Sequence, residues 1–257
     1  MFQGLVSIIS QQEIMPEIFF MQIESPEIAS VSKPGQFVMI SSDSGCERLL
    51  RRPISINQVW ENRVDFLYAA VGDGTKWLAQ RKAGEKIDVL GPMGNGFTID
   101  TKSRNILLVA GGMGIAPLRY MAQDALKRGK SLTLLEGAKK ASILLPERLL
   151  PEGIQRIITT EDGSAGIKGM VTDLLAEKAE SADQIFICGP LSMYKAINNN
   201  YSNCLKGKSV QVSLETRMGC GLGFCYACTL KTQQGLRQVC KDGPVFYWQD
   251  VIWDELI

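Results

Sequence analysis

Four cysteines lie within twenty-one residues near the end of the printed sequence, and this segment constrains the fold more than any other feature. The spacing from Cys220 through Cys225 and Cys228 to Cys240 is C-x4-C-x2-C-x11-C, whereas the other three cysteines are scattered. A disulfide framework is typical of small secreted domains and not of a chain of 257 residues. The clustering therefore predicts a metal centre.

The first three cysteines have the spacing of plant-type [2Fe–2S] ferredoxins, in which thiolates on a tight loop surround the cluster. Gly219, Gly221 and Gly223 flank Cys220, and residues without side chains let backbone N–H groups turn towards sulfur. Structural zinc is the alternative, but zinc sites favour two C-x2-C pairs and this segment has one. We therefore expect a [2Fe–2S] cluster. The fourth cysteine follows sooner than in plant ferredoxins, which predicts a scaffold shorter than a ferredoxin domain.

Histidine is absent from the chain, and its absence excludes several catalytic and metal-binding classes. Ser–His–Asp catalysis, histidine-ligated zinc and Rieske clusters all need this residue. The net charge is +1 without any basic block, so we expect neither nucleic acid nor an anionic membrane as a partner. The sequence has no signal-peptide pattern and no apolar run long enough for a membrane span, so we expect a cytoplasmic protein.

The first part of the chain, residues 1–98, consists of short β-rich runs separated by turn-forming residues. Residues 37–40, 53–56 and 64–69 are rich in β-branched, aliphatic and aromatic side chains. This rhythm predicts a small antiparallel barrel. Three glycines and a proline in residues 91–96 predict that regular structure stops at this segment.

From residue 102 the pattern changes to continuous apolar runs that alternate with helical stretches. The apolar runs are 106–110, 132–135, 157–158 and 185–188, and the helical stretches are 117–127, 170–178 and 191–205. Such alternation is typical of βαβ units with a parallel sheet. The sequence thus predicts a multi-domain β plus α/β protein. Its parts are an antiparallel barrel over 1–98, a parallel-sheet domain over 102–214 and a small cysteine domain over 215–257.

A glycine-rich segment, residues 111–117, directly follows a predicted strand and opens a predicted helix. Its backbone N–H groups and the helix N-terminus would face an anion such as a phosphate, although a tight turn without a ligand has the same pattern. Residues 160–164 and 188–190 follow two further predicted strands. Because ligands bind at the carboxyl ends of parallel strands, the three segments together favour a nucleotide site.

In the barrel region, Arg52 and Ser55 belong to the motif Arg-Pro-Ile-Ser. An arginine and a serine on one strand can bind a pyrophosphate and a flavin ring, and an exposed basic strand edge is the alternative. The order of the motifs along the chain favours the first interpretation.

Four motifs follow one another along the chain, namely R-P-x-S, G-P-x-G-x-G-F, G-G-x-G-x-A-P and C-G-P. Their order resembles that of the ferredoxin–NADP reductase superfamily. With Cys-Gly-Leu-Gly-Phe-Cys-Tyr-Ala-Cys and Val-Cys-Lys-Asp-Gly-Pro-Val-Phe added, nearly the whole sequence is similar to the electron-transfer subunits of class 1B, NAD-linked dihydroorotate dehydrogenases. The resemblance implies FAD and one [2Fe–2S] cluster in this chain, NAD as a diffusible co-substrate, and an FMN-containing catalytic subunit as partner in a heterotetramer of two of each. It also implies that electrons pass from FMN through the cluster and FAD to NAD⁺ during pyrimidine (UMP) biosynthesis.

The resemblance further implies which residues hold these groups. Those implied for FAD are Arg52, Pro53, Ile54, Ser55, Leu67, Tyr68, Ala69, Gly74 and Thr75. Those implied for the nicotinamide nucleotide are Gly112, Gly114, the rest of the loop to Ala116, Asp162, Gly163 and Ser164, with Cys188 beside the nicotinamide as the candidate catalytic residue. Ile54 is a departure, because many reductases of the superfamily have a tyrosine that stacks on the flavin; we expect aliphatic packing instead.

The choice between NAD and NADP rests on three residues after the second predicted strand of the sheet. Glu136 would repel a 2′-phosphate, whereas Lys139 and Lys140 would attract one. Cys46 and Cys204 are expected to have no role.

Two alternative functions remain at this point. One is the small flavoprotein subunit of a sulfide dehydrogenase or of an NAD(P)H:ferredoxin oxidoreductase, which shares the motif order. The other is a redox sensor that holds a cluster without turnover, although a sensor needs neither the flavin nor the nicotinamide motifs.

Overall fold

A computed structural model of the chain describes residues 1–42 and 50–256, so the expectation about Cys46 lies outside the described residues. Its strands are β1 (Phe2–Met15), β2 (Ile18–Glu24), β3 (Phe37–Ile40), β4 (Arg52–Trp60), β5 (Arg63–Ala69), β6 (Lys86–Met93), β7 (Asn105–Gly111), β8 (Ser131–Ala138), β9 (Gln155–Thr160), β10 (Ile167–Lys168), β11 (Gln184–Cys188), β12 (Ser209–Ser213), β13 (Thr229–Thr232), β14 (Gly235–Gln238) and β15 (Val245–Tyr247). Its α-helices are α1 (Pro26–Ala29), α2 (Asp73–Ala79), α3 (Ile115–Lys127), α4 (Leu175–Glu180) and α5 (Leu191–Ala196).

Six strands close into an antiparallel barrel in the order β1-β2-β5-β4-β3-β6, which confirms the predicted barrel. The predicted runs 37–40, 53–56 and 64–69 lie in β3, β4 and β5. The sequence pattern did not predict β1, a strand of 14 residues that pairs with two neighbouring strands. The first part of β1 pairs with β6 and the second part with β2, with a register shift after Ile8.

The prediction that regular structure stops at residues 91–96 was wrong for the first half of this segment, because β6 continues to Met93. Pro92 has no N–H to donate, but it lies where the ladder between β3 and β6 is irregular. Gly91 is needed there, since a Cβ on it would lie 2.7 Å from the Val38 side chain. The close approach of two strands, rather than a turn, explains this glycine.

The second sheet has the order β10-β9-β8-β7-β11-β12-β15, and its strands from β10 to β12 are parallel. The four predicted apolar runs lie in β7, β8, β9 and β11, which confirms the parallel-sheet fold. Strand order reverses at β7, with β8 on one side and β11 on the other. Such a reversal opens a crevice at the carboxyl ends of the strands.

Helix α3 lies between the two sheets and belongs to the core of both. Leu118 and Met121 are fully buried in an apolar cluster with Ile18 of the barrel and Phe186 of the parallel sheet. Full burial of such a side chain contributes about 1.5–3 kcal/mol. The helix ends at Lys127, and Gly129 follows with φ +69°, the left-handed conformation that terminates helices.

Two predicted helical stretches are only partly α-helical. Residues 170–178 begin as a 3-10 turn at Val171–Leu174 before α4. Residues 191–205 change from α5 into a π-helical turn at Ile197–Tyr201 and a 3-10 turn at Ser202–Leu205. The π-turn contains three consecutive asparagines, whose side chains compete for backbone hydrogen bonds.

The cysteine segment fills the corner between the barrel and the parallel sheet. β13 and β14 form a hairpin, and β15 extends the parallel sheet as an antiparallel edge strand beside β12. Met39 and Met93 of the barrel share an apolar cluster with Cys228, Cys240 and Phe246. The segment is thus packed against both larger parts. Among the described residues, no helix is long and apolar enough to cross a membrane.

Candidate functional site

Cys220, Cys225 and Cys228 lie on the connection between β12 and β13, which we call the cysteine loop. This loop is tightly wound, and its glycines make the winding possible. Gly221 and Gly223 have φ of +72° and +82°, and Tyr226 adopts φ +59° at the same turn. A Cβ on Gly221 would lie 2.8 Å from the Met39 side chain. The loop therefore rests directly on the barrel, which fixes the position of the four cysteines.

Backbone N–H groups of the loop point at the cysteine sulfurs, as expected from its glycines. Leu222 and Phe224 each donate to Cys220 Sγ at 3.3 Å, and Gly223 donates to Cys240 Sγ at 3.1 Å. Two longer bonds, at 3.4 Å each, run from Cys220 to Cys225 Sγ and from Cys240 to Cys228 Sγ. N–H donors of this kind stabilise thiolates and sulfides.

The four cysteines form two pairs. The thiol groups of Cys220 and Cys225 interact with each other, and so do those of Cys228 and Cys240. Within residues 1–42 and 50–256, no three cysteine or acidic side chains converge as ligands of a single metal ion would. Four cysteine thiols match, in number and kind, the ligand set of a two-iron cluster.

The two pairs differ in their surroundings. Burial opposes ionisation of Cys220, but the backbone donors outweigh it and lower the pKa of this thiol to about 6. Burial and the adjacent Cys228 raise the pKa of the Cys240 thiol to about 12. Cys225 is exposed, while Cys228 and Cys240 are buried. A cluster held here would present the edge nearest Cys225 to the surface.

A cavity of about 350 Å³ lies where the barrel, the parallel sheet and the cysteine segment meet. It brings together seven of the nine residues implied for FAD, which are Pro53, Ile54, Ser55, Leu67, Tyr68, Ala69 and Thr75. Met113 and Ala116 contribute from the glycine-rich loop and α3. The volume lies within the range of small-molecule sites.

Arg52 and Gly74, the other two residues implied for FAD, lie in contact with each other. A Cβ on Gly74 would overlap the Arg52 guanidinium. The guanidinium therefore lies over the first turn of α2, where Thr75 accepts a hydrogen bond from the backbone N–H of Gly72 at 3.1 Å. A cation above the first turn of a helix suits a pyrophosphate.

One wall of the cavity consists of residues that the sequence patterns did not predict. It is the connection from β12 to the cysteine loop, with Ser213, Leu214, Glu215, Thr216 and Met218. Thr216 Oγ1 is buried and has no hydrogen-bond partner in the part of the chain that the structure describes. A bound flavin could satisfy this atom, so the lining fits the group. The only sequence signal was position, immediately before the first cluster cysteine.

The glycine-rich loop packs directly on the end of β11. Gly112 has φ +51°, and a Cβ on Gly114 would overlap the carbonyl group of Cys188. Cys188 itself is buried beneath this loop, where burial raises its pKa far above the ordinary range of a thiol. Its side chain interacts with Ser213 and Tyr194. The predicted phosphate loop and Cys188 are thus neighbours, as their strand positions implied.

Asp162 and Ser164 shape the loop after β9. Both the backbone N–H and the hydroxyl of Ser164 donate to Asp162 Oδ1, at 2.9 and 2.6 Å, and these bonds lower the pKa of the exposed carboxyl. Ser164 Oγ also accepts from the N–H of Ala141, at 2.7 Å. The loops after β8 and β9 are therefore joined on one side of the crevice.

Glu136 does not face the crevice, contrary to the expectation that it would repel a 2′-phosphate. Its buried carboxylate accepts from the backbone N–H of Leu145 at 2.8 Å and pairs with Arg156 at 2.7 Å. Burial raises the pKa of Glu136, and Arg156 opposes that rise. The exposed charges after β8 are those of Lys139 and Lys140.

Two family models match separate parts of the chain. Residues 215–252 match the family described as the iron–sulfur cluster binding domain of dihydroorotate dehydrogenase B, and residues 108–199 match the oxidoreductase NAD-binding domain. The dihydroorotate dehydrogenase B (NAD(+)) electron transfer subunit of Geobacillus sp. (strain WCH70) is 37% identical over 97% of this chain and 98% of its own. That of Bacillus cereus (strain G9842) is 38% identical over 95% and 96%. The chain belongs to the family of dihydroorotate dehydrogenase B electron transfer subunits.

Solved structures place this electron transfer subunit in a wider fold class. A chain of an NADH-dependent reduced ferredoxin-NADP oxidoreductase, described for flavin-based electron bifurcation, is 31% identical with a TM-score of 0.88 over 98% of this chain and 91% of that chain. A ferredoxin reductase of carbazole 1,9a-dioxygenase shares the fold at 18% identity and a TM-score of 0.70, over 82% and 68%.

Proposed function

We propose that this chain carries electrons from a dihydroorotate-oxidising partner subunit to NAD⁺ in pyrimidine biosynthesis. The observation that supports this most directly is the continuity between the cavity and the cysteine loop. Met218 lines the cavity and Cys220 follows two residues later. Two residues span at most about 7 Å of chain, so a flavin and a cluster bound at these sites would be close neighbours.

Each of the three groups would have its own set of residues. Cys220, Cys225, Cys228 and Cys240 would hold a [2Fe–2S] cluster. The cavity residues, with Arg52 and Gly74, would hold FAD, and Gly112, Gly114 and Asp162 would bind NAD beside Cys188. When bound, these groups exchange electron pairs at the nicotinamide and single electrons at the cluster. The protein orients them, excludes water from the cavity and supplies N–H donors to sulfur.

The division into 1–98 for FAD, 102–214 for NAD and 215–257 for the cluster is part of this proposal. Strand β15 of the third part pairs with β12 of the second part, so the two parts share one sheet. The three parts should therefore act as one body around the cavity.

Family membership implies a catalytic partner subunit, and we place its docking surface at the cysteine loop. Phe224 and Tyr226, 79% and 64% exposed, flank the exposed Cys225. Exposed aromatic side chains around a redox centre suit a protein interface. We further propose a cytoplasmic heterotetramer with two copies of each subunit and an FMN in each partner.

The proposal is tested by co-expression with an FMN-containing, dihydroorotate-oxidising subunit and anaerobic purification. We expect an equimolar complex with the mass of a heterotetramer that forms orotate and NADH. Phe224→Asp should disrupt co-purification. Ile167→Asp, a change at an equally apolar residue, 51% exposed on the opposite edge of the sheet, should not.

The similarity to the ferredoxin-NADP oxidoreductase chain supports a second candidate, the small subunit of an NAD(P)H:ferredoxin oxidoreductase. The dihydroorotate dehydrogenase relatives are more similar, at 37–38% identity against 31%. Absence of a complex, together with NADH-dependent reduction of ferredoxin, would favour the second candidate.

A further inference from the structure

The nucleotide-binding end of α3 is joined to the barrel by a buried hydrogen bond. Asn57, on β4, is completely buried, and its Nδ2 donates to the backbone oxygen of Ala116 at 2.7 Å. Ala116 lies in the first turn of α3 and lines the cavity together with residues of β4 and β5. The bond therefore connects the nicotinamide wall of the cavity to its flavin wall.

A buried charge pair continues this connection one turn further along α3. Arg119 Nη1 donates to Asn57 Oδ1 at 2.7 Å and lies 3.7 Å from Asp65 Oδ2 on β5. The side chains of Arg119 and Asp65 are only 8% and 2% exposed. Gln22, on β2, donates to Asp65 Oδ1 at 3.0 Å. Strands β4 and β5 thus hold the helix through Asn57 and Asp65, and β2 supports Asp65 through Gln22.

Two further contacts fix the guanidinium of Arg119. Its Nε donates to the backbone oxygen of Leu149, and its Cζ lies 5.6 Å from the centre of the Phe20 ring. Burial raises the pKa of Asp65, and Gln22 and Arg119 oppose that rise. We refer to Asn57, Asp65 and Arg119 as the interdomain clamp.

Stability alone does not account for the interdomain clamp. The desolvation of two buried charges offsets much of their attraction, and apolar replacements of similar size are often neutral or stabilising. Unlike apolar packing, hydrogen bonds are directional. They therefore restrict the groups that they join to one relative position. Helix α3 already has extensive apolar contacts with the barrel. Those contacts alone would permit small shifts of the helix.

We propose that Asn57, Asp65 and Arg119 are positioning residues that set the distance between the nicotinamide and the flavin. This inference rests on the proposed function, because it assumes that both groups bind at the cavity. Transfer of a hydride between them moves two electrons and one proton together from reduced flavin to NAD⁺, or from NADH to oxidised flavin. The reacting atoms must approach to about 3–3.5 Å, and a displacement of about 1 Å can lower the rate about 100-fold.

The test uses the purified complex of both subunits and measures flavin reduction by NADH in a single turnover. The variants are Asp65→Asn, which keeps the shape of the side chain, and the double variant Asp65→Leu/Arg119→Met, which makes the pair apolar. We expect hydride transfer to slow about 10- to 100-fold in both. The dissociation constant of NADH, the FAD content and the flavin midpoint potential should change little, and the double variant should retain the thermal midpoint of the natural protein.

Asp124→Asn is the matched control. Asp124 lies on the same helix and pairs with Arg128 at 2.9 Å, but this pair is more exposed and stays within α3. Its removal should leave the hydride-transfer rate unchanged. A primary deuterium isotope effect with NADH labelled at C4 confirms that the step measured is hydride transfer.

Unchanged flavin reduction in the double variant at full FAD content would overturn the role of the interdomain clamp. A loss of rate that follows only a loss of FAD would also overturn it, since the residues would then be merely structural. If NADH fails to reduce the flavin of the natural complex, the proposed function itself is wrong. The two failures are therefore distinguishable.

Discussion

Gly114 and Cys188 are in direct backbone contact, because a Cβ on Gly114 would overlap the carbonyl oxygen of Cys188. The contact joins the start of α3 to the end of β11, at the strand-order reversal of the parallel sheet. The φ of Gly114 is −59°, which any residue can adopt. This glycine is therefore required for space and not for backbone freedom.

Gly114→Ala should separate the glycine-rich loop from β11. Because the clash is with backbone atoms, no rotamer change relieves it, and we expect destabilisation of about 2 kcal/mol or more. Thermal unfolding and the KM for NADH test this, and KM should rise. In Gly129→Ala, where the new Cβ meets no atom within 4 Å but φ is +69°, only backbone strain of about 1–2 kcal/mol is expected, without a change in KM. Equal effects on KM would contradict the assignment.

Thr216→Val should weaken the binding of FAD. The Thr216 hydroxyl is buried without a partner in the described chain and lines the cavity, so a bound flavin would supply its hydrogen bond. Loss of one such bond, about 0.5–1.5 kcal/mol, raises the dissociation constant about 2- to 10-fold. Flavin fluorescence during titration of the apoprotein measures this. Thr216→Ser should retain the affinity, whereas tighter binding by the valine variant would show that the hydroxyl faces no flavin atom.

Cys225→Ser should remove or weaken the cluster without abolishing NADH oxidation through FAD. Cys225 is the exposed member of its pair, and serine is a much poorer ligand for iron than a thiolate. We expect loss of the cluster absorbance and of NAD⁺-dependent orotate formation in the complex. Reduction of an artificial acceptor by NADH should persist. Parallel loss of both activities would contradict the order in which the carriers are arranged.

Asp183→Asn should destabilise the fold in a pH-dependent manner. Asp183 accepts from the backbone N–H groups of Asn105 and Arg104, at 2.8 Å each, and these bonds lower its pKa below the ordinary value of 3.8. The carboxylate therefore stabilises the fold above pH 3.8, and its contribution disappears as the pH falls through the lower folded-state pKa.

Urea unfolding of both proteins from pH 7 to pH 3 checks this expectation. Loss of the cluster in acid affects both proteins alike, so the difference between their midpoints isolates Asp183. The difference should be constant near neutral pH and shrink in acid. A difference as large at pH 3 as at pH 7 would mean that the charge of Asp183 is not responsible.

Local patterns predicted the iron–sulfur segment, which the match over residues 215–252 confirms, and they predicted much of the fold. Cys220 and its neighbours lie on a short loop, so their spacing and the intervening glycines determine how the sulfurs can be arranged. The barrel strands and the parallel strands were predictable because alternating and continuous apolar runs report burial directly. The prediction for residues 91–96 was wrong because the sequence does not distinguish a glycine required by strand contact from one required by a turn.

By itself, therefore, the sequence determined the ligand spacing of the cysteine loop, the succession of barrel and parallel sheet, and the family. Only the tertiary structure decided that Glu136 is paired with Arg156, that Thr216 lines the cavity, and that Asn57 and Arg119 join helix to barrel. The physical reason is the distance along the chain between the residues that interact. Local spacing controls groups on one loop, whereas the partner of a buried polar group depends on which distant segment packs against it, and no short pattern records that choice.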